Sequence, residues 1–327
     1  MTLDEKVGQL FVPEISNDDS LTQSNIKKYH LGGVLLMGNN FVGNRQTFIN
    51  RIKGFQKSAE IPLTISTDQE GGTVSRLDAE QTHRSYYPSP QEANDNGGLR
   101  NVTKDYQAVA KEMHELGFNW NFAPIADVAK GPNDYIYART FGQGYTEAGS
   151  FVSQAVVAMQ KEKVAASLKH FPGYGAAKNT HTGSAEVNKS VAKFKKEDFL
   201  PFQAGINAGA DSVMVTHIIM NKVDPGVPAS LSKKDIDLLR DGLSYDGVIV
   251  SDSLQMGAVV NYVNKTGVSR DVKAFQAGND VLLSDDFQQG IPEIKKAVKD
   301  GKISNKRLND SVVRILTMKH KVGLKVF

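Results

Sequence analysis

Short apolar segments, each followed by a stretch long enough for a helix, recur along the whole chain of 327 residues. Strands that alternate with helical patterns in this way indicate βαβ units and a parallel sheet. The strand segments are almost continuously apolar, as expected when helices cover both faces of the sheet. Predicted strands lie at residues 10–13, 33–37, 63–67, 119–124, 165–169, 212–216, 247–251 and 280–283, and the clearest helical patterns at 45–57, 102–116, 146–162, 196–208, 292–299 and 305–324.

A count of about eight strands favours a closed (β/α)8 TIM-type barrel, which is an α/β fold. The alternative, an open Rossmann-like sheet, is disfavoured because no Gly-x-Gly-x-x-Gly string follows the first strand. No linker rich in Pro, Gly or Ser divides the chain, and its apolar content of 40% is sufficient for one large core. The sequence therefore predicts a single barrel domain over residues 1–327.

Charge and residue content argue against several classes of function. Lys and Arg number 39 against 36 Asp and Glu, an excess too small and too dispersed to predict a nucleic-acid or anionic-membrane partner. The chain has no cysteine, which excludes disulfides and thiolate metal sites. Its seven His residues lack the His-Glu-x-x-His spacing of a zinc site. We therefore expect no metal and no organic cofactor.

No apolar run approaches the roughly 20 residues that cross a bilayer, so we expect no membrane span. At the amino terminus, Thr2 and Glu5 predict a helix capping box instead of a signal peptide. Two locations stay open: the cytoplasm, or the cell surface or exterior if a leader was removed. The sequence does not indicate an oligomeric state.

Polar and ionisable residues follow several of the predicted strands. The carboxyl ends of parallel barrel strands face one rim, where barrel active sites form. Any one such residue could be a strand-end cap or a salt-bridge partner, but together their mixed charges predict a shared polar pocket. They are Asp68 after the third strand, Asp127 and Arg139 after the fourth, Lys169 and His170 at the fifth, His217 at the sixth and Asp252 at the seventh.

A long segment, residues 171–189, separates the fifth strand from the next helix. Loops of this length in compact domains tend to be functional or disordered. Its glycines indicate mobility, so His181 could swing over the pocket. The alternative is a solvent-exposed histidine without a role, and spacing alone does not decide between them.

Four features occur in order along the chain: Thr67-Asp68-Gln69-Glu70-Gly71-Gly72, Lys169-His170-Phe171-Pro172-Gly173, the loop residue His181, and Ser251-Asp252-Ser253-Leu254. Together they resemble glycoside hydrolase family 3 and, within it, the β-N-acetylglucosaminidase branch in a single-domain form. The resemblance covers nearly the whole chain. It implies a small carbohydrate substrate and a retaining, two-step mechanism.

By this resemblance, Asp252 is the nucleophile that forms a covalent glycosyl-enzyme, and His181 is the general acid and base. The same motif matches imply that Asp68, Arg139, Lys169 and His170 bind the hydroxyls of the terminal sugar. His217 matches a pocket-floor histidine of the branch; the alternative is a core histidine bonded to a backbone group. Glu70 is expected to support the turn at Gly71 and Gly72.

Two positions depart from the pattern of the branch. Asn179 stands where the branch has an Asp that orients the loop His, and Tyr174 replaces a His. Asn can accept a hydrogen bond from the ring, but it brings no negative charge to imidazolium. Three explanations stay open: a natural variant with weakened catalysis, a deliberately inactivated protein, or a glycan-binding descendant.

The leading hypothesis is an exo-β-N-acetylglucosaminidase acting on terminal GlcNAc of peptidoglycan fragments or related glycans. A Schiff-base lyase that uses Lys169 is an alternative, although it leaves Asp252 and the loop around His181 without a role. A non-catalytic sugar-binding barrel is a third hypothesis, motivated by Asn179. Phosphorolysis, with phosphate replacing water, is a variant of the first.

Overall fold

A computed structural model of the protein describes residues 1–77, 80–82, 84 and 86–326. Phe327, the last residue of the predicted domain, lies outside them. In chain order, the strands β1 to β8 span Gly33–Leu35, Thr64–Thr67, Trp120–Asn121, Ala165–Phe171, Glu186–Val187, Ser212–Val215, Ile219–Met220 and Val248–Ser251. Within the described residues, six of them form one parallel sheet in the order β1-β2-β3-β4-β6-β8, and β5 and β7 pair in a separate two-stranded sheet.

The two edges of this sheet are joined by the first and last predicted strand segments. Val281 bridges Val250 of β8, Leu282 bridges Phe11, and Glu14 bridges Leu35 of β1, all in parallel. These eight chain segments close the ring and confirm the (β/α)8-type fold. The first segment makes only isolated bridges and not a regular strand; Pro13 within it has no N–H to donate to a ladder.

Helices cover the outside of the ring. Most lie where the sequence predicts them, and Thr2 and Glu5 form the expected capping box. The predicted helix 196–208 begins later than expected, at Phe199, because Pro201 has no N–H to donate to the carbonyl of Glu197 and fits only in a first turn; a separate short helix ends at Lys196. The helices, α1 to α13, span Leu3–Gly8, Asp19–Tyr29, Arg45–Ser58, Pro90–Asp95, Gly98–Leu116, Tyr145–Lys161, Val191–Lys196, Phe199–Asn207, Lys233–Arg240, Gly257–Thr266, Arg270–Ala277, Phe287–Lys299 and Asn305–Lys321.

Burial explains the continuous apolar character of the strands. Every residue of β1, β2, β4, β6 and β8 is buried, because side chains point alternately into the barrel and against the helices. Among the residues described, no helix has both the length and the apolarity to cross a membrane. The carboxyl ends of β2, β4 and β8 bring Asp68, Lys169 and Asp252 to the same rim.

Candidate active site

Glu70 is the buried centre of a charge cluster at this rim. Its Oε2 and Oε1 accept hydrogen bonds from Nε and Nη2 of Arg139, both at 2.8 Å. Nζ of Lys169 lies 2.6 Å from Oε1 of Glu70 and 2.6 Å from Oδ1 of Asp68. The cluster therefore holds two cations and two carboxylates in fixed positions, and the fork of Arg139 gives it a defined orientation.

The charges of this cluster determine its protonation states. Burial alone would raise the pKa of Glu70, but Lys169 and Arg139 outweigh burial and lower that pKa to about 2. Burial would lower the pKa of Lys169, but Asp68 and Glu70 raise it. Lys169 is therefore an ammonium ion and Glu70 a carboxylate at neutral pH.

The role of Glu70 is larger than the sequence indicates. Its backbone N–H donates to the carbonyl of Val74 at 2.9 Å, which supports the predicted turn. Its side chain holds Arg139 and Lys169, which we did not anticipate. Removal of this carboxylate would leave Arg139 and Lys169 buried without the anion that both of them contact.

His170 is held on both sides of its ring. Nδ1 lies 2.7 Å from Oδ2 of Asp127, and Nε2 lies 3.3 Å from Nη2 of Arg139. Because Arg139 can only donate, Nε2 accepts and Nδ1 carries the proton that is donated to Asp127. The carboxylate of Asp127 also accepts the backbone N–H groups of His170 and Tyr174, at 3.0 and 2.6 Å. Asp127 therefore orients the start of the long loop as well as the ring.

Asp252 directly follows β8, and its Oδ1 accepts the backbone N–H of Ser253 at 2.7 Å. Burial would raise the pKa of Asp252, but His217, His170, the Ser253 N–H and Lys169 together keep it below its ordinary value. Asp252 is therefore a carboxylate at neutral pH, the state that a nucleophile requires.

His217 lies beneath this carboxylate and is fully buried. Its Nε2 donates to the carbonyl of Ser253 at 2.8 Å, and its Nδ1 lies 2.7 Å from Oγ of Ser230. Burial lowers the pKa of His217, opposed by the charge of Asp252. Both ring nitrogens are engaged by protein atoms, and His217 is not among the residues that line the cavity above it. This geometry favours the core interpretation over direct contact with sugar.

The cavity at this rim has a volume of about 380 Å³. It brings together six of the eight predicted site residues, whereas His217 and Asn179 are not among the residues that line it. The lining residues are Glu14, Leu35, Met37, Asp68, Glu70, Val74, Arg76, Phe122, Tyr135, Arg139, Lys169, His170, His181, Met214, Asp252, Ser253, Met256, Leu283 and Asp285.

His181 reaches this cavity from the long loop, and its side chain is exposed. Oδ1 of Asn179 lies 2.6 Å from Nδ1 of His181 and also accepts the backbone N–H of His181 at 3.0 Å. Since the amide oxygen can only accept, Nδ1 of the ring carries the proton. Nε2 is then the atom that exchanges a proton with a bound molecule.

Three charged residues of the cavity were missed at the level of the sequence. Arg76 is held through its backbone N–H, which donates to Oε1 of Gln69 at 2.8 Å. Its buried Nε has no hydrogen-bond partner among the residues that the structure describes. Glu14 and Asp285 follow the first and eighth strand segments, so the strand-end rule, applied to all eight strands, would have found both.

Glu14 and Asp285 form an acidic pair on the wall of the cavity. The backbone N–H of Glu14 donates to Oδ1 of Asp285 at 2.9 Å. Burial and the charge of Asp285 raise the pKa of Glu14, against the charge of Arg76. Burial likewise raises the pKa of Asp285. This wall is therefore acidic, in contrast to the balanced cluster around Glu70.

Comparison with known proteins assigns the chain to a family. Residues 2–318 match the family model described as the glycosyl hydrolase family 3 N-terminal domain. A β-hexosaminidase of Xanthomonas oryzae is 34% identical, over 77% of this chain and 76% of that protein. β-Hexosaminidase A of Pseudoalteromonas piscicida is 31% identical, over 91% of this chain but only 54% of its own length.

The solved structure of a glycoside hydrolase family 3 β-N-acetylglucosaminidase from a Paenibacillus species superimposes with a TM-score of 0.90. It is 31% identical, and the match covers 98% of this chain and 63% of that chain. The present chain thus spans little more than half the length of some of its relatives. With the family model matched over almost the whole chain, the protein belongs to glycosyl hydrolase family 3, through the N-terminal domain of that family.

Proposed function

We propose that this chain is a retaining exo-β-N-acetylglucosaminidase that releases terminal β-linked GlcNAc from peptidoglycan fragments or related glycans. One observation carries the proposal: an ionised Asp252 and the exposed ring of His181 line the same cavity as the sugar-binding candidates. The relatives named as β-hexosaminidases support the choice of sugar. Because both reacting residues lie within residues 1–327, we also propose that this span acts as one catalytic domain.

In the first step, a carboxylate oxygen of Asp252 attacks the anomeric carbon of the terminal sugar. The Ser253 N–H occupies Oδ1, which leaves Oδ2 for this attack. The bond from the anomeric carbon to the glycosidic oxygen breaks, and that oxygen takes the proton from Nε2 of His181. The product of this step is a glycosyl ester on Asp252 and a free aglycone alcohol.

In the second step, water attacks the anomeric carbon from the side that the aglycone has left. Nε2 of the now neutral His181 takes a proton from this water, the ester bond breaks, and Asp252 regains its charge. Two inversions give net retention of the β configuration. No atom beyond those of the substrate, water, Asp252 and His181 is required.

The sugar-binding role is assigned to Asp68, Lys169, His170, Arg139 and Arg76. A sugar hydroxyl both donates and accepts, and a carboxylate beside an ammonium ion offers it both functions. Asp68 and Lys169 form such a pair, 2.6 Å apart at the rim. Arg76, whose Nε has no partner within the described part of the chain, supplies a further donor. For His217 we propose an indirect role, because its bond to the Ser253 carbonyl holds the segment that carries Asp252.

The charge state of Lys169 argues against the Schiff-base lyase. A lysine attacks a carbonyl only as a neutral amine, and such lysines have a lowered pKa. The two carboxylates within 2.6 Å of Nζ have the opposite effect on Lys169. Sugar binding without turnover is the second candidate, because Asn179 brings no charge to His181.

Turnover of an aryl β-GlcNAc against an aryl β-glucoside tests the proposal, with Asp252→Asn as the control. We expect release of the aryl group only from the first substrate, a β-configured first sugar product by NMR, and no turnover by the variant. Free GlcNAc in phosphate buffer indicates hydrolysis, whereas GlcNAc 1-phosphate indicates phosphorolysis. Binding of GlcNAc ligands without any turnover supports the second candidate and refutes the first.

A further inference from the structure

The loop that carries His181 combines an exposed functional residue with a buried neighbour. His181 is exposed at the cavity, whereas Thr180 beside it is fully buried. A general acid must be held within hydrogen-bond reach of the glycosidic oxygen. The contacts of Thr180 and of the His181 backbone therefore decide where the ring stands.

Tyr174 contacts this segment from the barrel side. Its hydroxyl lies 2.5 Å from Oγ1 of Thr180 and accepts the Thr180 backbone N–H at 3.3 Å. The tyrosine is itself fixed, because its backbone N–H donates to Asp127 and its ring packs edge-on against His170, with centroids 5.4 Å apart. Tyr174 thus connects the sugar-binding rim to the loop.

The helix after Asp252 contacts the same segment from the other side. The backbone N–H of Gly257 donates to the carbonyl of His181 at 3.0 Å, and that of Ala258 to the carbonyl of Thr180 at 3.3 Å. The first N–H groups of a helix have no partner within it, so these two are free to hold the loop. The loop is therefore tied to the segment that starts at the nucleophile.

Position 257 has to be a glycine for this contact. A Cβ there would lie 2.8 Å from the His181 carbonyl oxygen and 3.2 Å from the carbonyl carbon of Thr182. Both are backbone atoms, which cannot turn aside as a flexible side chain can. An alanine at this position would displace the loop.

We propose that Tyr174, Thr180 and Gly257 are positioning residues that clamp the loop between the barrel rim and α10 and so fix His181 over Asp252. The clamp can be tested without turnover, and its kinetic consequence rests on the proposed function. The clamp positions the proton donor, whereas Asp252 is held by a separate contact with the Ser253 N–H. A damaged clamp is therefore expected to slow only those reactions that need a proton donor.

The kinetic test compares two leaving groups in Tyr174→Phe, which removes only the hydroxyl. For an alkyl β-GlcNAc, whose leaving group must be protonated, kcat/KM should fall about tenfold or more. For 2,4-dinitrophenyl β-GlcNAc, whose leaving group departs without protonation, kcat/KM should change less than about twofold.

Tyr245→Phe is the matched control, because it removes a buried hydroxyl bonded to the carbonyl of Ala210 outside the cavity. In this variant kcat/KM should stay unchanged for both substrates. Equal losses for the two leaving groups, or no loss at all, would overturn the kinetic role.

Two further variants test the clamp as a unit. Thr180→Val should give a selective loss no larger than that of Tyr174→Phe, and the double variant should lose no more than Tyr174→Phe alone, because Thr180→Val removes only the hydroxyl–hydroxyl bond that Tyr174→Phe also removes. Gly257→Ala should also slow the alkyl glycoside selectively. Additive losses in the double variant would show that Tyr174 and Thr180 act independently.

Amide hydrogen exchange tests the clamp without any turnover. The amides of Gly257 and Ala258 should exchange about tenfold faster in Tyr174→Phe than in the unmodified protein, whereas those of Val259 and Val260 should not change. Unchanged exchange at Gly257 and Ala258 would refute the clamp. If neither glycoside is turned over by the unmodified protein, the proposed function fails, and hydrogen exchange alone decides whether the clamp exists.

Discussion

Oδ1 of Asn179 accepts two hydrogen bonds from His181, one from Nδ1 of the ring at 2.6 Å and one from the backbone N–H at 3.0 Å. The amide thus orients the ring as a carboxylate would. It differs from a carboxylate in its lack of charge, because an amide leaves imidazolium without a counter-ion. The Asn179–His181 pair therefore keeps one function of the Asp–His pair of the branch, orientation of the ring, and lacks the other, electrostatic support of imidazolium.

Asn179→Asp should therefore increase activity. A carboxylate stabilises imidazolium by about 1 kcal/mol or more, so kcat/KM for an alkyl β-GlcNAc should rise about fivefold. The charged ring keeps its proton to higher pH, and the basic limb of the pH profile should move upwards. Asn179→Ala, which removes orientation as well, should reduce activity. A basic limb that does not move in Asn179→Asp would mean that His181 is not the acid.

Glu70→Gln should destabilise the fold and weaken substrate binding. The pKa of Glu70 is about 2 in the folded protein against an ordinary 4.5, so its stabilising effect is present above pH 4.5 and is lost as the pH falls towards 2. At pH 7 the variant should lose about 3 kcal/mol in the free energy of unfolding, measured in urea, and KM should rise because Arg139 loses its fork.

The control for this change is Glu115→Gln, which removes an exposed partner of Arg45. This variant should lose less than about 1 kcal/mol in the free energy of unfolding. A Glu70→Gln variant that is no less stable than the control at pH 7 would contradict the role of Glu70 as the anchor of two buried cations.

Lys319→Met should stabilise the protein at neutral and acidic pH. Lys319 is fully buried, with Nζ 2.6 Å from Oε1 of Gln9, and burial lowers its pKa from 10.5 to about 7. In the unfolded chain the amine stays charged up to about pH 10.5, whereas in the folded protein it loses its proton near pH 7. Burial of Lys319 therefore lowers the free energy of unfolding by its full amount below pH 7, and this destabilisation disappears as the pH rises from 7 to 10.5. At pH 6 the variant should gain on the order of 5 kcal/mol in the free energy of unfolding, less what the lost bond to Gln9 contributes.

Thermal unfolding at pH 6 and pH 10 distinguishes this effect from a general gain in packing. The stabilisation should shrink at pH 10, and Lys306→Met, at a side chain that is 84% exposed, should change Tm little at either pH. An effect of Lys319→Met that is the same at both pH values would mean that the amine is not neutralised by burial.

Lys169 should not form a Schiff base. Between Asp68 and Glu70 it stays protonated, so treatment with a carbonyl sugar and borohydride should leave the intact mass unchanged. An adduct that maps to the peptide containing Lys169 would instead support the lyase hypothesis.

The strand-end pattern was sufficient to predict Asp68, Lys169, His170 and Asp252, because the position of each depends only on its own strand. Glu70 could not be assigned in this way, since its partners Arg139 and Lys169 come from other strands and meet it only in the folded barrel. The environment of His217 likewise depends on Ser230 and Ser253, which lie on separate segments. Burial, and with it the protonation state of these groups, is a property of the assembled rim.

The later start of the predicted helix 196–208, at Phe199, has a local reason, Pro201, that is present in the sequence. The clamp on the loop could not be predicted from the sequence. There, Tyr174 is only a departure from the family pattern, and its role depends on its contact with Thr180 in the folded protein. Motif comparison located the loop residue His181, and the structure indicates what holds it.

The most direct measurement traps the covalent intermediate. A 5-fluoro-GlcNAc fluoride should form the glycosyl-enzyme faster than water hydrolyses it. The fluorine at C5 destabilises the oxocarbenium-like transition states of both steps, but the fluoride at the anomeric carbon is a good leaving group and keeps the first step fast. Digestion and mass spectrometry should then find one glycosyl adduct, on the peptide that contains Asp252, and none in Asp252→Asn. An adduct on another carboxylate of the cavity, such as Glu14 or Asp285, or turnover by Asp252→Asn at the rate of the unmodified protein, would contradict Asp252 as the nucleophile.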